Sequence, residues 1–597
     1  MYTHTSSPSR RILSKETFGR AIHSFSRVEW YVFLALVGVV CISALLLVNK
    51  VNNAFLVSVP LKGGHIEEGI IGTPRFVNPV LAVTDAEKDL TSIIYSGLMK
   101  KTAQGTLVPD LANSYEVSAD GLTYTFAIKD DAVFHNGMQV ESKDVVYTIQ
   151  KIQNTVIKSP KKVNWEGVEA RAIDTKHVSF TLKQPYSGFL ENTTLGILPQ
   201  EVWKDIPDDE WNFSELNINP IGSGPYQVAQ VNKKKSSGIP ESFELKAFQN
   251  YVGTLPYIPS LTFSFFANEN EIVEALNSGH IDQASALSPS QVAFLKDKNI
   301  HIEEASLSRI FGLFFNQSNA PIFTDKTVVK ALDMAIDKQA IVDEVLGGYG
   351  EAINGPIPPH MIEENPVALP HGDKVAALEL LTKAGWSKDE SGILVKKSKT
   401  VIKPATTGKN AKPAETRESS ARLSFSISTG DAPELRSAAE MIQKDLQALG
   451  AEVEVKVFET GNLNQNVIRP RNYDALFFGE VIGRESDFFA FWHSSQRNDP
   501  GLNVALYANT KVDTLLENAL TEEDRNARIE AYKAFEAEIQ KDMPAIFVYS
   551  PHFIYIVDKQ LSGFTFDRIT VPSERFLSIN DWYVDTDRVW NIFAPKE

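Results

Sequence analysis

The stretch LANSYEVSADGLTYTFAIKDDAVFHNGMQVESKDVVYTI, residues Leu111–Ile149, decides the fold. Its centre alternates apolar and polar residues, which predicts a strand with one buried face, made by Tyr124, Phe126 and Ile128. Asn136-Gly137 favours a turn after this strand, and we expect a helix to open after Ser142. A strand, a turn and a helix in this order are typical of an α/β protein.

The composition sets broad limits on what the protein does. The chain has 597 residues, 43% of them apolar, which is ample for two or more hydrophobic cores. Its formal net charge is −16, although the first 50 residues hold six Lys/Arg against two Asp/Glu. An acidic body argues against nucleic-acid binding, which normally needs a basic surface.

An apolar run of nineteen residues, WYVFLALVGVVCISALLLV, spans Trp30–Val48 without a charge. As a helix it would be about 28 Å long, close to the thickness of a bilayer's hydrocarbon core. Five basic residues precede the run and only Lys50 follows closely, which predicts a cytoplasmic amino terminus and an extracytoplasmic body. A cleaved signal peptide and a buried soluble helix are the alternatives. The 29-residue tail is long for a signal peptide, and no small-x-small cleavage site follows.

The single cysteine, Cys41, lies inside the apolar run. Val40 precedes it where a lipoprotein signal needs a small residue, so we do not expect lipidation. One cysteine also excludes a disulfide within the chain, so packing must supply the stability of the body.

Further short motifs are spread over the body. The main ones are Phe76–Pro79, Gly222-Ser223-Gly224-Pro225-Tyr226, Ala275–Asp282, Phe314-Phe315-Asn316, Val328–Asp337, Ala384-Gly385-Trp386 and Asp542–Phe547. In this order, and together with the 111–149 stretch, they resemble the extracellular solute-binding proteins of family 5, the receptors of ABC-type peptide and nickel importers. Within that stretch the matching residues are Asp120-Gly121, Tyr124–Phe126, Phe134–Gly137 and Asp144–Val146.

The resemblance implies an α/β, two-lobed periplasmic-binding-protein-like fold of type II. The first lobe would carry an extra subdomain, and one transmembrane helix would precede the body. The expected boundaries are 1–29 cytoplasmic tail, 30–48 anchor, 49–62 tether, 63–312 with 550–597 first lobe, and 313–549 second lobe. Ligand would bind in the crevice between the lobes and favour their closure by touching both.

Three further segments carry explicit predictions. We expect a helix over Lys326–Leu346, stopped by Gly347-Gly348, and a helix over Glu434–Leu449 with Asp431 as its cap. Residues 396–422 hold eight basic residues, two acidic ones and no aromatic, which predicts a flexible insertion. Binding to a membrane or cell wall is an alternative role for its charge.

On the first lobe, Thr84-Asp85-Ala86-Glu87 has the pattern of a capping box at a helix start. The resemblance makes this loop a candidate ligand contact, through Val83, Thr84 and Asp85. A plain surface turn is the alternative.

On the second lobe, the segment 473–484 corresponds to the part of peptide receptors that holds the amino terminus of the peptide with an aspartate. Here Glu480 stands at the usual tryptophan and Gly483 at the usual aspartate, so Glu480, Arg484, Glu485 or Asp487 would have to supply the charge. The other candidate contacts are Phe315, Asn316 and Trp492, and for Trp492 a place in the core is the alternative.

No enzymatic constellation is visible. The chain lacks HExxH, P-loop, G-x-G-x-x-G and Cys/His metal patterns, so we predict no catalytic residue, no metal and no cofactor. The hypothesis is a monomeric, membrane-anchored receptor that passes oligopeptides or similar extended solutes to ABC permease subunits, with no nucleic-acid partner. The alternatives are a tethered sensor or surface interaction protein of the same fold and, more remotely, a hydrolase.

Overall fold

The computed structural model describes residues 26–594 except 187, 286, 297–298, 360, 362–371, 403–414, 484–486, 523 and 567. The described residues form two compact units, one made of residues 26–61 and 585–594 and the other of Lys62–Val584. The strands are β1 (Leu56–Leu61), β2 (His65–Ile71), β3 (Met99–Lys101), β4 (Leu107–Pro109), β5 (Ala112–Val117), β6 (Thr123–Ile128), β7 (Glu169–Ala172), β8 (His177–Thr181), β9 (Tyr226–Lys233), β10 (Pro240–Ala247), β11 (Ser260–Phe266), β12 (Gln283–Ser285), β13 (Ile300–Leu307), β14 (Arg309–Phe315), β15 (Gly350–Ala352), β16 (Trp386–Lys388), β17 (Leu394–Ile402), β18 (Glu415–Arg422), β19 (Ser424–Gly430), β20 (Glu452–Phe458), β21 (Ala475–Val481), β22 (Ala545–Asp558), β23 (Arg568–Ile569) and β24 (Asp585–Trp590).

The α-helices span Arg27–Phe55, Asp85–Ile94, Ser142–Gln153, Phe189–Asn192, Gln200–Trp203, Glu269–Ser278, Pro289–Val292, Lys326–Ala335, Lys338–Val345, Lys374–Lys383, Pro433–Leu449, Thr460–Asn462, Asp487–Trp492, Thr510–Thr521 and Arg525–Asp542. Short 3-10 helices lie at Lys162–Trp165, Trp211–Phe213, Glu215–Asn217, Pro321–Thr324, Ser494–Gln496, Pro572–Asp581 and Asn591–Phe593, and a π-helix at Leu463–Ile468.

The first unit contains the apolar run. Its helix begins after Ser26, whose side chain and that of Glu29 form a capping box, and it continues to Phe55, beyond the predicted end at Val48. It is the one helix among the described residues that is long and apolar enough to cross a membrane. The segment predicted as a tether, residues 49–62, has regular structure: the helix continues to Phe55, and β1 follows at Leu56–Leu61. The helix continues to Phe55 because no Gly or Pro interrupts it, and β1 then pairs antiparallel with β24.

The second unit is built on a long mixed sheet with the order β20-β19-β21-β14-β22-β12-β2-β11-β10-β9. The fourteen-residue strand β22 lies at its middle and also pairs with β13 and β15. Its side chains are almost all buried, so β22 is the common element on which both ends of the sheet are assembled.

Four hydrophobic clusters fill the second unit, and they fall into two groups. The buried members of two clusters come from Ile66–Ala305 and Phe553–Trp582. Those of the other two come from Ile310–Tyr549. We call residues 62–307 with 553–584 the first half and residues 310–549 the second half. Each half therefore has its own core.

The 111–149 stretch folds as its pattern predicts. Tyr124, Phe126 and Ile128 of β6 are buried while their neighbours are partly exposed. β6 is the inner strand of a separate four-stranded sheet, β5-β6-β8-β7, in the first half. The following helix begins at Ser142, with Glu141 as its cap and the Asp144 carboxylate accepting the Glu141 N–H at 2.9 Å.

Two predicted helices need correction. The helix expected over Lys326–Leu346 is two helices, because the chain leaves helical geometry at Ile336-Asp337 and the Asp337 carboxylate caps the second one. The helix expected over Glu434–Leu449 starts at Pro433, and Ala432, not Asp431, occupies the cap position. Its end is as predicted, with Gly450 in left-handed geometry at φ 114°.

The insertion predicted to be flexible, residues 396–422, is largely an antiparallel hairpin of β17 and β18, and residues 403–414 lie outside the described residues. Backbone pairing between β17 and β18 runs from Val395 opposite Arg422 to Ile402 opposite Glu415. Charge pairs add to it: Lys396 Nζ lies 3.2 Å from the Asp325 carboxylate, and Arg422 contacts Asp389 at 2.9 Å and Glu452 at 3.0 Å.

Candidate functional site

A cavity of about 500 Å³ opens in the second unit. Most of its wall comes from the first half: the helix Asp85–Ile94, β3, the loop 191–196 and the segment 570–580. The second half contributes Gly483 and Asp487, which follow β21. The cavity therefore lies where the two halves of the long sheet meet.

The wall carries charges of both signs around apolar and aromatic surface. It includes lysines and carboxylates, and two such pairs are in contact: Lys101 Nζ lies 2.9 Å from Glu574 Oε1, and Lys100 Nζ 3.9 Å from Asp110 Oδ1. The Tyr251 hydroxyl donates to the same Asp110 carboxylate at 3.1 Å. Such a wall suits a ligand that has both charges and apolar parts.

Gly483 of the second half lies close to the first half at this cavity. A Cβ added at Gly483 would lie 3.0 Å from Thr570 Cγ2 of the first half, so a larger residue would press against that segment. The same Cβ would lie 3.5 Å from Asp487 Oδ2. The Asp487 carboxylate thus lies within van der Waals contact of a Cβ at position 483.

A buried ion cluster fixes two walls of the cavity to each other. Arg575 is fully buried on the segment Pro572–Asp581, and its guanidinium donates to Asp89 at 2.6 and 3.0 Å and to Glu68 at 2.7 and 3.0 Å. Asp89 lies on the helix that also carries Lys88 and Thr91, both in the cavity wall. The Tyr555 hydroxyl donates to the remaining Glu68 oxygen at 2.7 Å. Every carboxylate oxygen in this cluster has a donor.

The predicted residues of the first lobe lie at the start of that helix. The Thr84 side chain accepts the Glu87 N–H at 3.3 Å, and the Glu87 carboxylate accepts from the N–H groups of Val83 and Thr84 at 2.9 and 3.0 Å. The capping box is confirmed. Val83, Thr84 and Asp85 are exposed, and Lys88, one turn further on, is the member of this region that lines the cavity. Their contact with ligand stays a prediction.

Of the second-lobe candidates, Asp487 lines the cavity and four others are buried away from it. Phe315 stacks on Phe323 at 4.2 Å, and the Asn316 amide donates to the Arg471 carbonyl at 2.8 Å. Glu480 and Trp492 belong to the core of the second half. Burial raises the pKa of Glu480 well above its ordinary value, an effect that the Trp492 indole N–H partly offsets. Arg484 and Glu485 lie outside the described residues.

Several cavity residues had no signal in the sequence. Lys100-Lys101, Asp110, Tyr251 and the segment 570–580 are far apart in the chain and meet only in the fold. Among these residues, the basic pair Lys100-Lys101 is the one local feature that could have indicated β3 as a candidate for ligand contact. Among the described residues, no group of three or more His, Cys, Asp or Glu side chains is placed to hold a metal ion.

The glycine-rich motif at 222–226 has a structural role. The Gly222 N–H donates to His135 Nδ1 at 3.3 Å, which leaves Nε2 as the protonated nitrogen that faces the Gly224 carbonyl at 3.1 Å. A side chain at either glycine would collide with the backbone of Ile93-Ile94. Burial lowers the pKa of His135 to about 4, so this imidazole is neutral.

Comparison with known proteins agrees with this architecture. Residues 106–500 match the family described as bacterial extracellular solute-binding proteins, family 5 Middle, and the chain belongs to this family. It is 27% identical over 539 residues to the oligopeptide-binding protein AppA of Bacillus subtilis (strain 168), covering 88% of this chain and 92% of the relative.

Solved structures show the same fold. AppA from Bacillus subtilis in complex with a nonapeptide aligns with a TM-score of 0.64 and 25% identity, over 88% of this chain and all of that one. NikZ from Campylobacter jejuni in complex with Ni(L-His) aligns with a TM-score of 0.65 and 25% identity, over the same shares. The fold is therefore that of the type II periplasmic binding proteins, and the chain is an extracytoplasmic solute-binding protein of the ABC importer type.

Proposed function

We propose that this protein is a membrane-anchored receptor that binds oligopeptides, or similarly extended solutes, and delivers them unaltered to an ABC permease. The observation that carries the proposal is the cavity whose wall combines a long contribution from the first half with Gly483 and Asp487 of the second. A ligand held there would touch both halves, and a ligand favours the closed state only through such contacts.

A peptide fits the chemistry of this wall. A peptide with free ends carries a cation at one end, an anion at the other and an amphipathic chain between them. The wall offers carboxylates, lysines and aromatic faces over the same cavity. The relative named as an oligopeptide-binding protein and its nonapeptide complex support the same class of ligand.

Asp487 is the proposed partner of the peptide's amino terminus. Gly483 replaces the aspartate expected from peptide receptors, and the Asp487 carboxylate lies close to the space that this aspartate would fill. A hydrogen bond between charged groups is worth about 1.5–3 kcal/mol, so its loss would cost about tenfold or more in affinity.

The membrane anchor is supported by the helix Arg27–Phe55 and by its direct connection to strand β1. A helix that runs directly into a paired strand is part of the folded unit, as expected of a segment that remains in the mature protein. The basic residues before the helix support a cytoplasmic amino terminus and a binding body outside the membrane.

The test uses the full chain purified from membranes in mild detergent. Mass spectrometry of the intact protein should show co-purified peptides, and calorimetry should show saturable binding of the peptides so identified. Recovery of a sugar or a metal complex alone, with no binding of any peptide, would refute the peptide part of the proposal.

The matched pair Asp487→Asn and Asp343→Asn tests the role of Asp487. Asp343 is an exposed carboxylate on the helix Lys338–Val345, outside the cavity wall. Asp487→Asn should weaken binding of a free-amine peptide about tenfold while leaving its N-acetylated form unchanged, and Asp343→Asn should change neither. Equal loss for both peptide forms would contradict amine recognition by Asp487.

A further inference from the structure

The first unit brings the carboxyl-terminal end of the chain back to the end of the apolar helix. β1 leaves the helix at Leu56 and β24 returns antiparallel to it, with Trp590 opposite Leu56 and Asp585 opposite Leu61. The chain beyond Trp590 therefore runs antiparallel to the apolar helix, back past the carboxyl-terminal end of that helix. The 3-10 turn Asn591–Phe593 lies in this continuation.

Two contacts of Trp590 determine where the end of β24 lies along the helix axis. Its indole N–H donates to the Asn52 side chain at 2.8 Å, and its ring stacks on Phe55 with centroids 6.1 Å apart. Asn52 lies four residues beyond the apolar run that ends at Val48, or about 6 Å along the helix axis. The headgroup layer on each side of a bilayer is about 5–7 Å thick. Trp590 is thus held at the level of the headgroups, where tryptophan is enriched in membrane proteins.

Two large apolar residues shortly after Trp590 are open to solvent. Ile592 is 78% exposed and Phe593 74% exposed, while Trp590 itself is 44% exposed. The charges of the β1–β24 ribbon are also divided along its length. Asp585 and Asp587 lie toward the end far from the helix, and Arg588 lies nearer to it. The end that returns to the helix is therefore apolar with a cationic neighbour, as expected for a surface that meets lipid headgroups.

We propose that Trp590, Ile592 and Phe593 form a second membrane contact, which inserts into the outer interface of the lipid bilayer beside the spanning helix. This inference rests on the proposed anchoring. The occupant is lipid because the surface is continuous with a helix that itself crosses the lipid, through the Asn52 and Phe55 contacts. β1 is attached to the spanning helix at Leu56, and β24 would be held at the lipid surface through Trp590 and the residues after it. The two-stranded ribbon would then have a fixed orientation at the membrane.

The test compares three single-cysteine forms of the full chain, each carrying an environment-sensitive fluorophore, in vesicles of phosphatidylcholine and phosphatidylglycerol. The native protein is labelled at Cys41, the middle of the apolar run. The second form is Cys41→Ser with Phe593→Cys. The third, the matched control, is Cys41→Ser with Thr586→Cys, an exposed position of β24 near its far end.

Lipids with a doxyl quencher near the headgroup should quench the label at 593 severalfold more than the label at 586. Iodide in the water should quench the label at 586 severalfold more than the label at 593. Equal quenching of the two labels by both agents would overturn the second contact, and would leave a protein partner to explain the exposed residues.

The label at Cys41 separates this outcome from failure of the anchor. A quencher near the bilayer centre should quench Cys41 strongly whether or not residue 593 meets lipid. If Cys41 is quenched and 593 is not, the anchor stands and the second contact is refuted. If Cys41 is not quenched either, the helix does not span the bilayer and both proposals fall.

Discussion

Each half of the binding body has a buried acidic site, and the two sites differ in how the cost of burying a carboxyl group is offset. In the first half, Glu68 and Asp89 are buried against a fully buried Arg575, with a donor for each carboxylate oxygen. In the second half, Glu480 is as deeply buried among apolar and aromatic side chains. Burial raises the pKa of Asp89 only to about 6, because the Arg575 guanidinium opposes the effect, whereas burial raises the pKa of Glu480 well above its ordinary value with only the Trp492 indole N–H to oppose it.

The difference shows that burial of a carboxylate says nothing by itself about its role. The Arg575 site joins two walls of the cavity without lining it, and Glu480 lies in a core although its position in the sequence made it a candidate ligand contact. Asp487, seven residues after Glu480, is the carboxylate of the second half that lines the cavity. Each site can be perturbed separately.

The largest effect is expected from Arg575→Met. Removal of the guanidinium leaves two buried carboxylates without a counter-charge, and breaking a buried pair in this way costs about 3–5 kcal/mol. Native-state hydrogen exchange of the β2 amides in the full chain should report this loss. Arg436→Met, at an exposed position of the helix Pro433–Leu449, should change the same amides by less than about 0.5 kcal/mol. Similar small effects for both variants would show that the ion cluster contributes little.

A second effect concerns acid sensitivity through His135, a half-buried base whose pKa is lowered, the opposite direction to that of Glu480. Burial lowers its pKa to about 4 from an ordinary 6.5, so below pH 6.5 the unfolded chain takes up a proton that the folded chain refuses. This difference in pKa contributes up to about 3 kcal/mol to the free energy of unfolding. The contribution is complete above pH 6.5 and is lost as the pH falls toward 4.

The variant His135→Gln keeps a donor and an acceptor but does not titrate. Urea denaturation of the full chain near pH 7 and near pH 4.5 should show a smaller acid loss for this variant than for the native protein. His280→Gln, at an exposed residue, should keep the native acid loss. An unchanged acid loss in His135→Gln would mean that other groups determine it.

The smallest effect is expected from Glu480→Gln, and it has the opposite pH dependence. The pKa of Glu480 in the folded chain lies above its ordinary 4.5, so the folded chain holds the proton of this carboxyl more tightly than the unfolded chain does. The resulting contribution to the free energy of unfolding is complete below about pH 4.5 and is lost as the pH rises toward the folded-state pKa. Glutamine has no charge to bury. The variant should therefore be more stable than the native chain near pH 8.

Urea denaturation at pH 5 and pH 8 would measure this difference, with Glu344→Gln, at an exposed residue, as the control. The gain from Glu480→Gln should grow with pH, and the control should show no such trend. A variant that is less stable at pH 8 than at pH 5, relative to the native chain, would mean that Glu480 is ionised and paired in the folded protein.

Much of the local structure could be predicted from the sequence because it depends on near neighbours. The alternation in β6, the capping box at Thr84 and the glycine stop at Gly450 each involve residues within a few positions of one another. The predictions failed where a distant contact decided the outcome. β1 is a strand, which the sequence analysis did not predict, because β24, more than 500 residues later, pairs with it.

The candidate site divides in the same way. The family motifs indicated which loops to examine, and Asp487 was among the candidates and lines the cavity. Phe315, Asn316, Glu480 and Trp492 could not be told apart from cavity residues in the sequence, because the face of a strand that meets solvent depends on which helices cover it. Lys100, Tyr251 and Glu574 were missed because nothing local joins them.

The order and spacing of residue types were enough to establish the family, the α/β alternation and an apolar segment long enough to span a bilayer. The pairing of charged groups, their neutral or ionised state and their position at the cavity became known only from the folded chain. A carboxylate's state depends on the groups within a few ångströms of it, and the fold draws those groups from segments hundreds of residues apart.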